Sequence, residues 1–153
     1  MRNNNYFNTP PVVLNLLIIN VLVFMATTML PGGRGEALAL NLSIYFPTSP
    51  HFHIWQVVTH MFTHAGFSHL FFNMFALWMF GRIVEYDLGS KRFLIYYLVC
   101  GLGAAALQIG VNWIEINSLM NAGNTAGAMR AINTPMLGAS GAVYGVLLAF
   151  GML

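Results

Sequence analysis

Charged residues are scarce in this sequence, and their scarcity excludes most classes of water-soluble protein. Asp, Glu, Lys and Arg make up 7% of the 153 residues, whereas hydrophobic residues make up 58%. Soluble domains carry roughly 25% charged residues, so a chain of this composition could not cover a water-facing surface. The net charge of +2 is too small to indicate a nucleic-acid partner. The sequence therefore predicts an integral membrane protein, with the lipid bilayer as its surroundings.

Cysteine is almost absent as well. Cys100 is the single cysteine of the chain, so an internal disulfide is excluded and the redox compartment is left open. We therefore expect it to pack inside a helix.

Long stretches without charge indicate where the chain enters the membrane. A hydrocarbon core of ~30 Å needs about 20 apolar residues in a helix. Apolar runs predict membrane helices at about 11–30, 68–86, 93–113 and 140–153, the last too short to cross unless it starts partway in. The aromatic segment 32–55 suits the membrane interface, and the polar segment 112–138 is predicted to be a loop. The predicted fold is all-α, a polytopic transmembrane helix bundle forming one domain over residues 1–153.

The few basic residues predict an orientation. Arg2 precedes the first span, and three more lie at the turn after the second span, Arg82, Lys91 and Arg92. Arg34 and Arg130 lie on the opposite side. Because basic residues concentrate on the cytoplasmic side, we predict a cytoplasmic N-terminus and an outward 112–138 segment. Separately, we expect the chain to lie in a bacterial inner membrane. Glu85 and Asp87, with Arg82 and Lys91, are predicted to form a solvated turn with weak ion pairs.

A serine at the start of the fourth apolar run is the first candidate for chemistry. Gly138, Ala139, Ser140 and Gly141 open that run. A hydroxyl in the first helical turn can be reached from outside, and the unpaired N–H groups there can face an anion. Acyl transfer needs such a nucleophile and such donors. A helix cap followed by helix packing through Gly141 and Gly145 is the structural alternative.

Two polar residues of the second span form a second candidate. His69 and Asn73 are four residues apart, so they share one helix face. Polar groups in hydrocarbon are costly and usually face the bundle interior or a water-filled cavity. They either hold helices together by hydrogen bonds or donate jointly to an oxyanion.

Together, these segments resemble the rhomboid family of intramembrane serine proteases. The second-helix signature is carried by Trp55, Thr59, Phe62, His64, His69, Asn73, Met74, Leu77 and Gly81. Glu85, Gly89 and Ser90 resemble the cytoplasmic end of that helix, and residues 138–145 the nucleophile segment. The family has six core helices. The resemblance covers essentially all of this chain as helices one to four, so we expect a product truncated at its C-terminal side.

The resemblance also implies roles for individual residues. Ser140 would be the nucleophile, and Asn73, His69 and the Ser140 backbone N–H would form the oxyanion hole. Gly138 and Gly141 would support the nucleophile, and Tyr144 would be the aromatic on which the catalytic histidine packs. The implied substrates are transmembrane segments of membrane proteins, and no cofactor is implied. Trp55-Gln56 stands where rhomboids often have Trp-Arg, a departure expected to affect the loop rather than the chemistry.

No histidine follows Ser140 in the sequence. All five, His51, His53, His60, His64 and His69, precede it. Rhomboids use a Ser–His dyad with the histidine on the sixth helix, and an activated serine needs a base within hydrogen-bond reach. The chain as it stands is therefore expected to be inactive.

Two other functions compete with proteolysis. A non-proteolytic rhomboid-like protein would use the same bundle to bind membrane clients. Alternatively, His60, His64 and His69 could hold a metal or a haem. The second alternative is disfavoured because no cysteine or acidic residue lies nearby and Gly66 interrupts the helix between them. We therefore predict no metal and no cofactor.

Overall fold

The structure is a computed structural model that describes residues 8–153. It consists mainly of helices, three of them long enough to cross a membrane. In chain order the helices are α1 (Pro11–Met29), α2 (Arg34–Leu42), α3 (Phe67–Leu88), α4 (Ser90–Asn121), α5 (Thr125–Ile132) and α6 (Ser140–Gly151). A short helical turn at Gln56–Thr59 and a 3₁₀ turn at His60–Phe62 precede α3. Helices α1, α3 and α4 are long and apolar enough to cross a membrane, whereas α6 is shorter. The predicted all-α membrane bundle is confirmed.

Helix α4 runs beyond its predicted end at Trp113 and continues to Asn121. Asn117, one of the polar residues that suggested a loop, bonds within the helix instead: its amide donates to the Trp113 carbonyl at 2.7 Å. At ~1.5 Å per residue, a helix of 32 residues is longer than the ~30 Å hydrocarbon core. A helix of this length can therefore extend past the hydrocarbon core at its polar end, where amide side chains are tolerated.

The remainder of the predicted 112–138 loop contains α5. Asn124 caps this helix, because its side chain accepts a hydrogen bond from the Gly127 N–H at 2.9 Å. Asn is among the preferred capping residues, since its short side chain reaches the unpaired N–H groups of the first turn. Only short connections on either side of α5 remain irregular.

Segment 32–55 combines α2 with an irregular stretch that lies beside the start of α6. Ile44 and Met136 form an isolated antiparallel bridge, with N–H···O distances of 2.9 and 2.8 Å in the two directions. Nearby, the Ser49 hydroxyl donates to the Asn133 side-chain oxygen at 2.8 Å. These contacts fix the segment against the chain that leads to Ser140.

Small residues allow α6 to lie close against α4. A Cβ on Gly141 would collide with Ala104, and one on Gly145 would collide with Cys100. The Tyr96 hydroxyl donates to the Gly145 carbonyl at 2.8 Å, joining the two helices. The packing use of Gly141 and Gly145 and a chemical use of Ser140 are therefore compatible.

The predicted solvated turn at Glu85 is wrong for Glu85 itself, which is 2% exposed. Its carboxylate accepts hydrogen bonds from Val12 N–H at 3.0 Å, Val13 N–H at 2.7 Å and the Ser90 hydroxyl at 2.6 Å. The two valine N–H groups belong to the first turn of α1, where backbone donors lack helical partners and negative charge is favourable. Glu85 therefore joins the start of α1 to the end of α3.

We expect Glu85→Gln to lower the free energy of unfolding in detergent by roughly 1–3 kcal/mol, because one buried valine N–H would then face an amide donor. Asp87→Asn removes the same charge from an exposed position two residues away and should change stability little. Unfolding titrations of both variants measure the difference. Equal effects would restore the solvated-turn interpretation.

Candidate active site

The turn before α6 places Ser140 at the first residue of the helix. Gly138 has a φ of +122°, a backbone conformation that residues with a Cβ rarely adopt. Its N–H donates to the His60 carbonyl at 2.9 Å, which anchors the turn to the segment before α3. Ala139 is fully buried. The Ser140 side chain is half-buried at the helix N-terminus.

The imidazole of His69 lies directly against Gly138. A Cβ built on Gly138 would be 2.7 Å from His69 Cε1, 2.9 Å from His69 Nε2 and 3.7 Å from the Ser140 hydroxyl oxygen. The ring and the hydroxyl therefore lie on the same side of the turn. Only a residue without a side chain leaves room for this arrangement.

Two neighbouring cavities meet at these groups. One, of about 550 Å³, is lined by His60, His69, Gln108, Gly138, Ser140, Gly141 and Tyr144 among others. The second, of about 460 Å³, is lined by His69, Asn73, Ser140 and Tyr144 together with apolar residues of α3 and α6. The structure thus brings together all six residues selected from the sequence. Their roles remain a prediction.

Asn73 is 7% exposed and borders the second cavity with Ser140. Its side-chain amide donates to the His69 carbonyl at 2.8 Å, one turn back along α3. An amide nitrogen carries two hydrogens. One is used within the helix, and within the described residues 8–153 the second has no acceptor.

Tyr144 lies one turn after Ser140 and is 71% exposed. It lines both cavities, so its ring forms part of their outer wall. The exposed ring offers an apolar face against which a further side chain could pack.

His64 contacts His69 but lines neither cavity. The two rings are in edge-to-face contact with centroids 5.0 Å apart. His64 is 4% exposed, and within residues 8–153 neither of its ring nitrogens has a hydrogen-bond partner. Burial, followed by the neighbouring His69, lowers the pKa of His64 to about 4. A neutral ring at this place gives His69 an uncharged aromatic neighbour.

The sequence did not single out His60 or Gln108 as part of this site. His60 is buried, and its Nδ1 lies 2.9 Å from the Gln56 carbonyl. Because a carbonyl only accepts hydrogen bonds, Nδ1 carries the hydrogen and Nε2 is unprotonated in the neutral ring. Burial also lowers the pKa of His60. Within the described residues, no group of three or more His, Cys, Asp or Glu could hold a metal ion.

The sequence model of the rhomboid domain matches residues 51–153. This protein belongs to the rhomboid family. The match includes every residue placed at the two cavities except Ile44. The rhomboid is therefore an integral membrane protein of a family that contains intramembrane proteases.

Named relatives of this rhomboid come from bacteria and from organelles. It is 33% identical over 150 residues to rhomboid protein 1, mitochondrial, of Saccharomyces cerevisiae, covering 97% of this chain and 38% of the relative. It is 46% identical over 48 residues to the rhomboid protease GluP of Bacillus subtilis, covering 31% of this chain and 10% of that protein. Rhomboid-like protein 11, chloroplastic, of Arabidopsis thaliana is 34% identical over 92 residues, covering 60% of this chain and 26% of the relative. The chain thus spans less than two fifths of each of these relatives.

Proposed function

We propose that this rhomboid is the nucleophile-bearing part of an intramembrane serine endopeptidase that cleaves transmembrane segments of membrane-protein substrates. One observation supports this most strongly: the His69 ring and the Ser140 hydroxyl lie on the same side of Gly138, in a cavity that Asn73 also borders. A nucleophile and hydrogen-bond donors around one cavity are what acyl transfer requires. Relatives named as rhomboid proteases support the same reaction class.

In the proposed reaction, the Ser140 oxygen attacks the carbonyl carbon of the scissile peptide bond. The resulting oxyanion accepts hydrogen bonds from the free N–H of the Asn73 amide, a ring N–H of His69 and the Ser140 backbone N–H. Collapse of the intermediate releases the amine and leaves an acyl ester on Ser140, which water then hydrolyses to the acid. A base takes the serine proton and gives it to the leaving amine.

Residues 1–153 contain no evident general base for this reaction. No histidine follows Ser140 within them, and His69 is assigned to the oxyanion. We propose that the base is a histidine outside residues 1–153 that packs on the exposed ring of Tyr144.

A fluorophosphonate probe, which reacts with activated serines, tests this proposal. The polypeptide 1–153 in detergent should remain unlabelled, because a serine without its base is a poor nucleophile. The same polypeptide extended with the fifth and sixth helices of a related rhomboid should be labelled, and Ser140→Ala should abolish that labelling.

Two results would contradict the assignment. Labelling of 1–153 itself, lost in Ser140→Ala, would show that a base lies within these residues and that His69 is wrongly assigned. An extended chain that folds but is never labelled would favour the alternative, a non-proteolytic rhomboid-like protein that binds membrane clients.

We further propose that the protein lies in the inner membrane of a bacterium. Its N-terminus is then cytoplasmic, and α5 lies on the opposite side of the membrane. Three basic residues at the α3–α4 turn support this orientation; Arg2 and Asn4 lie outside the described residues. In a Cys100→Ala background, a membrane-impermeant maleimide should label Asn121→Cys in intact cells. It should label Asp87→Cys and Asn4→Cys only after permeabilisation. The reverse pattern would overturn the orientation.

A further inference from the structure

Gln56 is fully buried, and its side chain bonds to the last turn of α2 and to two points of the irregular segment that follows it. Its Nε2 donates to the Asn41 carbonyl at 3.2 Å and to the His51 carbonyl at 2.9 Å. Its Oε1 accepts the His53 N–H at 3.0 Å. Irregular backbone at membrane depth is tolerated only when its polar groups have partners. A single neutral amide satisfies both donor and acceptor needs of this segment.

The backbone of Gln56, which its buried side chain holds in place, begins one path to the nucleophile turn. The Gln56 carbonyl accepts from His60 Nδ1 at 2.9 Å. The His60 carbonyl accepts from Gly138 N–H at 2.9 Å. Gly138 is the residue that both His69 and the Ser140 hydroxyl approach.

A second path runs through the segment that Gln56 holds. Gln56 bonds to the carbonyl of Asn41. Three residues after Asn41, Ile44 forms the antiparallel bridge with Met136. Thr59 strengthens this connection, because its hydroxyl donates to the Leu42 carbonyl at 2.8 Å. Both paths therefore end within the same turn, one at Met136 and the other at Gly138.

We propose that Gln56 is a positioning residue for Ser140: it rigidifies the segment before α3, which in turn fixes the turn at residues 136–138. The proposal rests on the proposed function, since Ser140 must be the nucleophile for this positioning to affect catalysis. It changes the interpretation of Gln56 reached from the sequence, because a residue in the loop also controls the chemistry. Arg could not replace it faithfully, because a guanidinium has no acceptor for the His53 N–H.

Amide hydrogen exchange of the 1–153 polypeptide in detergent tests the structural part without requiring activity. Gln56→Met removes both donors and the acceptor at nearly constant length. We expect at least about tenfold faster exchange in residues 42–46 and also in 134–140, since loss of the bonds increases local opening. Gln56→Glu keeps the acceptor but removes both amide donors, and it should give the same pattern. Asn117→Met, which removes an amide–carbonyl bond on exposed α4, should change neither segment.

A disulfide across the Ile44–Met136 bridge tests whether Gln56 acts through that contact. Hydrogen-bonded antiparallel pairs have Cα atoms about 5.5 Å apart, within the range of a disulfide. In a Cys100→Ala background, oxidised Ile44→Cys/Met136→Cys should restore slow exchange at 134–140 in Gln56→Met. In the chain extended with two further helices, Gln56→Met should lower kcat about tenfold and leave KM nearly unchanged. The same disulfide should restore that kcat.

Faster exchange confined to residues 51–56 would overturn the proposal, since Gln56 would then stabilise only its own loop. Uniformly faster exchange in α1, α3 and α4 of both Gln56 variants would equally overturn it in favour of a global stabilising role. If wild-type extended chain shows no Ser140 labelling while exchange follows the expected pattern, the proposed function fails and the structural coupling stands. These results separate the two hypotheses.

Discussion

Replacing Asn73 by alanine is expected to lower turnover of the extended chain about 10²–10³-fold, the usual effect of losing one oxyanion donor. One amide N–H of Asn73 is used by the His69 carbonyl. Within residues 8–153 the other has no acceptor, and in the proposed reaction it meets charge that develops only in the transition state. Substrate binding should therefore change far less than kcat. Initial rates of peptide-bond cleavage over a range of substrate concentrations separate the two parameters.

Asn117→Ala is the matched control for this experiment. Asn117 also donates its amide to the carbonyl four residues earlier, but it lies on the exposed end of α4. Loss of that bond should leave kcat and KM unchanged. If Asn73→Ala retained full turnover, or merely unfolded the bundle, Asn73 would have a packing role alone.

Replacing Gly138 by alanine should be at least as damaging, with turnover and Ser140 labelling reduced about 10²-fold or more. The new methyl group would lie 2.7–2.9 Å from the His69 ring, so the ring or the turn must move. A displacement of about 1 Å near reacting groups costs ~10²-fold in rate. The positive φ of Gly138 adds backbone strain to the collision.

Gly123→Ala separates the collision from the strain. Gly123 also has a positive φ, +74°, but a Cβ there meets nothing within 4 Å. It should therefore lose stability through strain, about 1–2 kcal/mol, and keep its rate per folded molecule. If the two variants lost rate to a similar extent, backbone strain alone would explain the loss. Contact with His69 would then not be the reason that residue 138 is a glycine.

Much of the candidate site could be predicted because its signals are local. His69 and Asn73 share a helix face by their spacing alone, and Ser140 opens an apolar helix whose first N–H groups are unpaired. By contrast, the contact between His69 and Gly138 joins residues about 70 positions apart in the chain. No periodicity or spacing within either segment encodes it, and the family resemblance was needed to connect them.

Local pattern misled where polar residues find partners that the sequence does not reveal. Asn117 suggested a loop but bonds to its own helix, so α4 continues. Glu85 suggested a solvated turn but caps α1, with Val13 N–H 72 residues away in the chain. Gln56 looked like a substitution confined to the loop, yet it is buried at the centre of a hydrogen-bond network.

The sequence by itself determined that this rhomboid lies in a membrane, where its principal helices run and which serine opens α6. These properties depend on apolar length and on groups within one turn of each other, which a linear sequence displays directly. The tertiary structure alone decided which polar groups are buried and what satisfies them. A buried polar group is tolerated only with a partner of complementary chemistry, and those partners come from distant parts of the chain.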